Sequence, residues 1–391
     1  MDRRLFLFAS VTGLAAAGGA HACIWDRDTL AMERERFPTT LELITGKFLR
    51  RSRELYLWRI ANRTERLKSE PENLALSDDL AVAYDKTGQH DKAIALAKSM
   101  RDKKPGRYET EANLGTFYIH AGNREQGLAH IRVAIKINPD AHFGREKYQA
   151  LLAEYVLLRL QENAGKLPLP LAVDSRELYN ADGKPKTPHA NFHDFIASGV
   201  EQRKRPAHIA AAIKGVLGMM KFGDFESPVL LEVLGDLLLQ GGTYNTDGNA
   251  AQLAARAFLK ASYHVKDSAA QAAYRERMQK ALSATENIPP ELLESQFKRE
   301  LDEARAWFSA VEANEKQWIA EGLDPDAAFE RMYYQQPAIT TQHAPVIQTR
   351  GGMSQLESDV LWAAAGAALL AAAGGGVWWC KRRRVTRQPP V

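Results

Sequence analysis

Apolar side chains recur at intervals of three and four residues along most of the chain, from about residue 24 to residue 335. This spacing places the apolar positions on one face of a helix, and long stretches with the two-residue alternation typical of strands are lacking. The pattern therefore predicts an all-α protein. Two runs depart from it, because residues 5–20 and 360–379 are apolar or small without interruption by charge.

The N-terminal run has the parts of an export signal. Arg3 and Arg4 precede the apolar residues, and an A-x-A cleavage site ends at Ala22, so residues 1–22 are predicted to be a signal peptide cleaved between Ala22 and Cys23. The sequence R-R-L-F-L resembles the core of a twin-arginine signal, and an ordinary Sec signal is the alternative. Cys23 would begin the mature chain, either lipidated or as an ordinary thiol.

The C-terminal run is long enough to cross a bilayer as a helix. Basic residues follow it from Lys381 onward, and such residues stay on the cytoplasmic side. We therefore predict a tether over 336–357, a transmembrane helix over 358–380 and a basic cytoplasmic tail over 381–391. The expected location is the bacterial inner membrane, crossed once, with the large domain in the periplasm and the C-terminus in the cytoplasm. Small residues at four-residue spacing also allow self-association through this helix.

Two neighbouring segments repeat each other with a period of 34 residues. The paired positions are Leu80, Ala81, Tyr84, Gly88 and Pro105 in the first segment and Leu114, Gly115, Tyr118, Gly122 and Pro139 in the second. This period and residue order resemble the tetratricopeptide repeat (TPR), a pair of antiparallel helices. The resemblance implies an α-solenoid of TPR helical hairpins with additional helices.

Proline- and glycine-rich stretches suggest the other boundaries. We predict an N-terminal helical segment over 23–72 and a TPR domain over 73–163. The domain comprises repeats at 73–106 and 107–140 and a capping helix. A Pro-rich loop over 164–190, a second helical segment over 191–285 with a degenerate TPR-like pair, and C-terminal helices over 286–335 complete the order. A polar cluster over residues 25–29 is predicted to cap a helix through Asp28 or Thr29.

Charge and motifs narrow the function. The formal net charge of the chain is +4, and the positive surplus lies in the signal peptide and the tail, so no nucleic-acid partner is expected. No H-E-x-x-H, phosphate-binding glycine loop, G-x-S-x-G or C-x-x-C motif occurs. We therefore expect no catalytic residue and no cofactor. His189 and His193, four residues apart at a helix start, are weak candidates for a metal site.

The resemblance also suggests where a partner would bind. TPR proteins usually bind ligands on the concave surface made by the first helix of each repeat. The corresponding positions here are Asp78, Asp79, Val82 and Asp85 in the first repeat and Asn113, Thr116 and His120 in the second. An open acidic groove would favour a basic or neutral segment; acids that are merely solvated are the alternative.

These observations predict a membrane-anchored periplasmic TPR scaffold that binds a protein or peptide partner in the cell envelope. The alternative is an exported enzyme, or a cofactor- or metal-binding protein, that uses the repeats as a platform. A purely structural spacer is a third possibility.

Overall fold

Three helices precede the repeats in the computed structural model, which describes residues 24–34, 37–162, 191–240, 250–283 and 288–334. They are α1 (Arg27–Arg34), α2 (Thr40–Thr45) and α3 (Arg53–Ser69), and they lie within the helical segment predicted over 23–72. The short α2 begins with a capping box, since the Thr39 hydroxyl accepts from the Glu42 N–H and the Glu42 carboxylate accepts from the Thr39 N–H. Such local capping is hard to foresee from apolar spacing.

The repeats occupy the predicted places. Their helices are α4 (Leu74–Lys86), α5 (His90–Lys103), α6 (Tyr108–His120) and α7 (Arg124–Ile137), and every boundary of the first pair lies 34 residues before its counterpart in the second. Gly88 (φ +82°) and Gly122 (φ +87°) follow the first helix of each pair in the left-handed region that glycine tolerates.

A glycine pair sets the distance between α6 and α7. A Cβ atom added at Gly115 would lie 2.6 Å from Ile131 Cγ1 and 3.0 Å from the Ile131 backbone nitrogen. On the facing helix, a Cβ at Gly127 would lie 2.7 Å from the Gly115 carbonyl oxygen. All three separations are shorter than van der Waals contact, so the backbones can approach this closely only because both positions lack a side chain.

The stack continues beyond the two repeats. It runs through α8 (Arg145–Glu162), α9 (Phe192–Ala197) and α10 (Arg205–Phe222). The sequence predicts α8 as a cap, but α8 lies between α7 and α10 and therefore does not end the stack. Gly215 of α10 permits the close contact between α8 and α10, because a Cβ there would lie 3.0 Å from Tyr148 Cβ of α8.

A further helical pair follows, formed by α11 (Pro228–Gln240) and α12 (Ala250–Tyr263), with α13 (Ser268–Ser283) packed on α12. A Cβ at Gly235 would lie 2.5 Å from Phe258 Cε1, so an aromatic ring fills the space beside a glycine here. This pair lies within 191–285, where the sequence predicts a degenerate TPR-like pair.

The C-terminal part of the described chain returns to the N-terminal helices. The long α14 (Pro290–Ala320) packs against α3, and α15 (Pro325–Phe329) leads into one turn of π-helix (Glu330–Tyr334). Asp324 caps α15 by accepting from the N–H groups of Asp326 and Ala327. The described helices all belong to one compact unit.

Every regular element among the described residues is a helix, which confirms the all-α class. The signal peptide, the cleavage site at Ala22 and Cys23, the Pro-rich loop, the tether, the transmembrane helix and the tail all lie outside the described residues. Among the helices within that described part, none combines the length and the apolar character needed to cross a bilayer.

Candidate functional site

The predicted concave surface is not open. The N-terminal segment, defined here as residues 24–34, lies against it. The Trp25 N–H donates to Asn113 Oδ1 (2.8 Å), and Asn113 Nδ2 donates to the Trp25 carbonyl (3.0 Å). The Trp25 ring meets that of Tyr108 edge-to-face at 5.8 Å. Ile24 is buried in the same core cluster as Val82. The chain itself therefore occupies the surface that the TPR resemblance assigns to a partner.

The remaining predicted binding residues also have partners within the fold. Asp78 accepts from Arg107 (2.8 Å), Asp79 accepts from the Arg27 N–H (3.1 Å), and Gln149 donates to Thr116 Oγ1 (3.3 Å). All of these predicted residues are buried except His120, whose side chain is nevertheless only 4% exposed. The prediction of an open acidic groove is therefore wrong, because arginines and the N-terminal segment neutralise and cover the acids.

Below this segment lies a buried charge cluster, which we define as Arg51, Arg59, Arg63, Asp26, Asp28, Asp79, Glu315 and Asp326. Arg59 contacts Asp326 Oδ1 (2.6 Å) and Asp28 Oδ2 (2.7 Å). Arg63 contacts the other oxygen of Asp326 (2.6 Å) and Asp79 (3.2 Å). The cluster therefore joins the N-terminal segment, α3, α4 and the start of α15 into one body.

The charge cluster shifts the pKa values of two of its own carboxyl groups in opposite directions. Burial raises the pKa of Asp326, but the guanidinium of Arg59 outweighs this effect, and the result is a pKa lowered to about 2. Burial, together with the neighbouring Asp28 carboxylate, raises the pKa of Asp26 to about 6. Asp26 also caps α1 by accepting from the Thr29 N–H (2.9 Å), so the predicted cap exists but Asp26 forms it rather than Asp28 or Thr29.

A cavity of about 330 Å³ opens beside the N-terminal segment. Its walls come from that segment, the ends of α4, α6 and α10, the starts of α3 and α5, the α2–α3 connection and the α10–α11 connection. Representative lining residues are Asp26, Arg53, Tyr56, Lys86, His90 and Phe225. Sequence spacing does not predict this cavity, because its walls come from five separate regions of the chain.

Two lysines hold the walls of the cavity together. Lys86 Nζ, at the end of α4, donates to the carbonyls of Phe222 (2.6 Å) and Gly223 (2.9 Å) at the end of α10. Lys221 Nζ donates to the Met32 carbonyl of the N-terminal segment (2.8 Å). An ammonium group at a helix C-terminus satisfies carbonyls that lack an intrahelical donor. The repeats, the segment and α10 are therefore fixed to one another around the cavity.

Three side chains on the cavity wall form a carboxylate–imidazole cluster. Asp85 lies one residue before the end of α4, His90 begins α5, and His120 ends α6. Asp85 Oδ1 lies 2.8 Å from His90 Nδ1, and Asp85 Oδ2 lies 2.7 Å from His120 Nδ1. The hydrogen bond to Asp85 raises the pKa of His90. Burial raises the pKa of Asp85, but the two imidazoles outweigh this and lower it well below its ordinary value.

Among the described residues, these three form a group that could bind a metal ion, because their donor atoms all lie within 4.8 Å of one another. Sequence reasoning assigns Asp85 and His120 to the concave surface but misses His90, which comes five residues after Asp85 across the Gly88 turn. His193, a weak sequence candidate for metal binding, instead lies 3.1 Å from Asp194 through Nδ1, outside this set. His189 lies outside the described residues.

Similarity to known proteins agrees with the helical pairs. Residues 86–155 match the family model described as tetratricopeptide repeat, a range that runs from the end of α4 into α8. No curated protein and no solved structure is significantly similar to the chain. The matched range includes the second repeat in full and the glycine contact between α6 and α7. Residues 86–155 therefore carry the tetratricopeptide repeat pattern, and this range contains His90 and His120 of the carboxylate–imidazole cluster, while Asp85 lies just before it.

Proposed function

We propose that the protein is an exported scaffold, anchored in the bacterial inner membrane, that binds a protein or peptide partner in the periplasm. Tetratricopeptide repeats indicate a protein-interaction scaffold. The predicted export signal and the C-terminal apolar run support this proposal, because each predicts a helical domain outside the cytoplasm.

The observation that supports this proposal most directly is that the inner surface of the repeats binds the backbone of the N-terminal segment. Asn113 hydrogen bonds to both the N–H and the carbonyl of Trp25, and Asp79 accepts from the Arg27 N–H. These hydrogen bonds are made to main-chain atoms, so they do not depend on the side chains of the bound segment. The N-terminal segment occupies this surface, and the partner is therefore expected at the adjacent cavity opening, near the exposed Arg53.

Site-specific photo-crosslinking in cells that produce the protein tests this proposal. A photoreactive amino acid in place of Arg53 is expected to form a discrete adduct, identified by mass spectrometry. The same amino acid in place of Ser99, which is exposed on the second helix of the first repeat, is the control and is expected to form none. Equal adducts at both positions, or none at Arg53, would contradict a partner site at the cavity opening.

The membrane location has its own test. A reporter enzyme that works only in the cytoplasm is expected to be active when fused after Val391. A reporter that works only outside the cytoplasm is expected to be active when inserted near Thr341, because the basic residues after residue 379 stay inside. A C-terminus found outside the cytoplasm would overturn the anchor.

The alternative, an exported enzyme or metal-binding protein on a repeat platform, also has a specific observation in its favour. The carboxylate–imidazole cluster lines a cavity rather than lying on a solvated helix face. Metal binding there does not depend on whether a partner protein occupies the cavity opening.

A further inference from the structure

The two histidines and the aspartate come from three different helix ends, yet they converge on one point. The carboxylate of Asp85 uses both of its oxygens, one toward each imidazole. We propose that Asp85, His90 and His120 form a binding site for one divalent transition-metal ion, with zinc as the best match. The site is separate from the scaffold function, and failure of the crosslinking experiment would leave it untouched.

The donor chemistry favours zinc. Two imidazole nitrogens and one carboxylate oxygen are ligands that zinc accepts in tetrahedral sites, and magnesium or calcium prefers sites made of oxygen alone. With neutral imidazoles the three groups carry one negative charge, which a divalent cation more than balances. Coordination through Nδ1 requires each neutral ring to carry its proton on Nε2, and a protonated ring to release one proton to solvent.

The surroundings leave room for a fourth ligand. Structural zinc sites are closed by four protein ligands, whereas sites that bind an exchangeable molecule have three protein ligands and one open position. All three residues line the cavity of about 330 Å³, so the open coordination position faces it. The expected fourth ligand is water or a single oxygen donor, such as a carboxylate, from a molecule in the cavity.

The site also has a mechanical consequence. Asp85 and His90 flank the turn between α4 and α5, and His120 ends α6 of the next repeat. A bound ion would replace two hydrogen bonds with coordination bonds, and one of the two, between Asp85 and His120, joins the first repeat to the second. A metal ion that binds only the folded state increases the free energy of unfolding. The metal is therefore expected to raise the unfolding temperature.

Metal titration of the full-length chain tests the proposal. The protein would be purified in detergent without a histidine tag, freed of metal with a chelator and titrated with ZnCl₂ by calorimetry. We expect one zinc ion per chain, a higher unfolding temperature with zinc, and no stoichiometric binding of MgCl₂. Substitution by cobalt should give visible absorption bands typical of nitrogen and oxygen ligands.

A matched pair of variants assigns the site. His90→Gln removes one ligand from a half-buried position, and His130→Gln removes an imidazole that pairs with Glu111 (2.6 Å) in the same repeats but away from the cavity. Loss of one ligand is expected to weaken zinc binding by roughly 100-fold or more, since even outer-shell changes cost 10- to 100-fold. His130→Gln should bind zinc within about twofold of the unaltered protein.

These variants distinguish zinc bound at the cluster from zinc bound elsewhere in the chain. Both cysteines remain in every variant, so zinc held by Cys23 or Cys380 would appear equally in all of them. Circular dichroism confirms that each variant is helical before titration. The assignment rests on His90→Gln because His90 is partly exposed, so its substitution is compatible with folding. No stoichiometric zinc on the unaltered chain, or equal affinity after His90→Gln, would show that the cluster is an ion pair alone and overturn the proposal.

Discussion

Asn113 holds the backbone of Trp25 with both atoms of its amide group, accepting from the N–H at 2.8 Å and donating to the carbonyl at 3.0 Å. The two residues are 88 positions apart in the chain, and Asn113 is fully buried. This contact fixes the N-terminal segment against the repeats. It also leads to a direct test of whether the segment stays bound in solution.

Asn113→Ala is expected to release the N-terminal segment. The change leaves the partly buried N–H and carbonyl of Trp25 without those hydrogen bonds, at a cost of about 1–3 kcal/mol in the free energy of unfolding. Hydrogen exchange of residues 24–29 should become faster, as measured by mass spectrometry. Asn123→Ala is the control, because Asn123 caps α7 and does not touch the segment; faster exchange in both variants would argue against a specific clamp.

Asp326→Asn is expected to destabilise the protein strongly. Asp326 is buried and accepts from both Arg59 and Arg63, so its neutralisation leaves guanidinium groups in a poorly solvated place. Loss of one member of a buried ion pair costs about 3–5 kcal/mol. Urea denaturation measures this cost. Asp324→Asn serves as the matched control, since asparagine caps a helix as well as aspartate does and the change should stay within about 0.5 kcal/mol.

Gly115→Ala tests the close approach of α6 and α7. The added methyl group would lie 2.6 Å from Ile131 Cγ1 and 3.0 Å from backbone, so one helix must move, at a cost of about 1–3 kcal/mol. Gly122→Ala meets no atom within 4 Å, and only its left-handed conformation is strained, at about 1–2 kcal/mol.

The two glycine variants should also differ in structure. We expect Gly115→Ala to shift nuclear magnetic resonance signals along both helices, because the contact runs along their interface. Gly122→Ala should change signals only near its own turn. If Gly115→Ala leaves the signals of α7 unchanged, the close helix contact does not exist in solution.

Protonation of Asp26 is expected to make the free energy of unfolding depend on pH. Its pKa is about 6 in the folded protein, against an ordinary value of 3.8, so the folded state binds a proton that the unfolded chain does not bind between these values. Lowering the pH from 7 to 4 therefore adds stability from this group, on the order of 3 kcal/mol. Asp26→Asn keeps an oxygen to cap α1 and removes this contribution.

Chemical denaturation at pH 7 and pH 4.5 measures the difference. Relative to the unaltered protein, Asp26→Asn should be more stable at pH 7 than at pH 4.5, by on the order of 2–3 kcal/mol. Asp302→Asn, on an exposed part of α14, should give a profile parallel to that of the unaltered protein. A parallel profile for Asp26→Asn would mean that Asp26 is ionised in the folded state across this range.

The repeats could be predicted from the sequence because their information is local. The 34-residue period places Gly88 and Gly122 at equivalent turns, and the structure begins and ends both helix pairs at equivalent residues. Small residues at Gly115 and Gly127 mark close packing in the same way. A periodic pattern reports which positions face inward, and in a repeat the inward positions meet their neighbours in the next helix.

The N-terminal segment and the charge cluster could not be predicted in this way. Arg59 and Asp326 are 267 residues apart, and nothing in their local sequence identifies one as the partner of the other. Acids on α4 fit a solvated face as well as a buried one, since periodicity does not distinguish a covered groove from an open one. One signal was available, because Arg59 and Arg63 are four residues apart and so share one face of α3.

The pairing of Arg27 with Asp326, 299 residues later, has a consequence for synthesis. A ribosome that adds about 5–20 residues per second needs roughly 15–60 s to proceed from one to the other. During that interval Arg59 and Arg63 lack the carboxylate that lies between them in the finished protein. The nascent chain can form its repeats early. It cannot complete the buried charge cluster until nearly all of the described helices have been made.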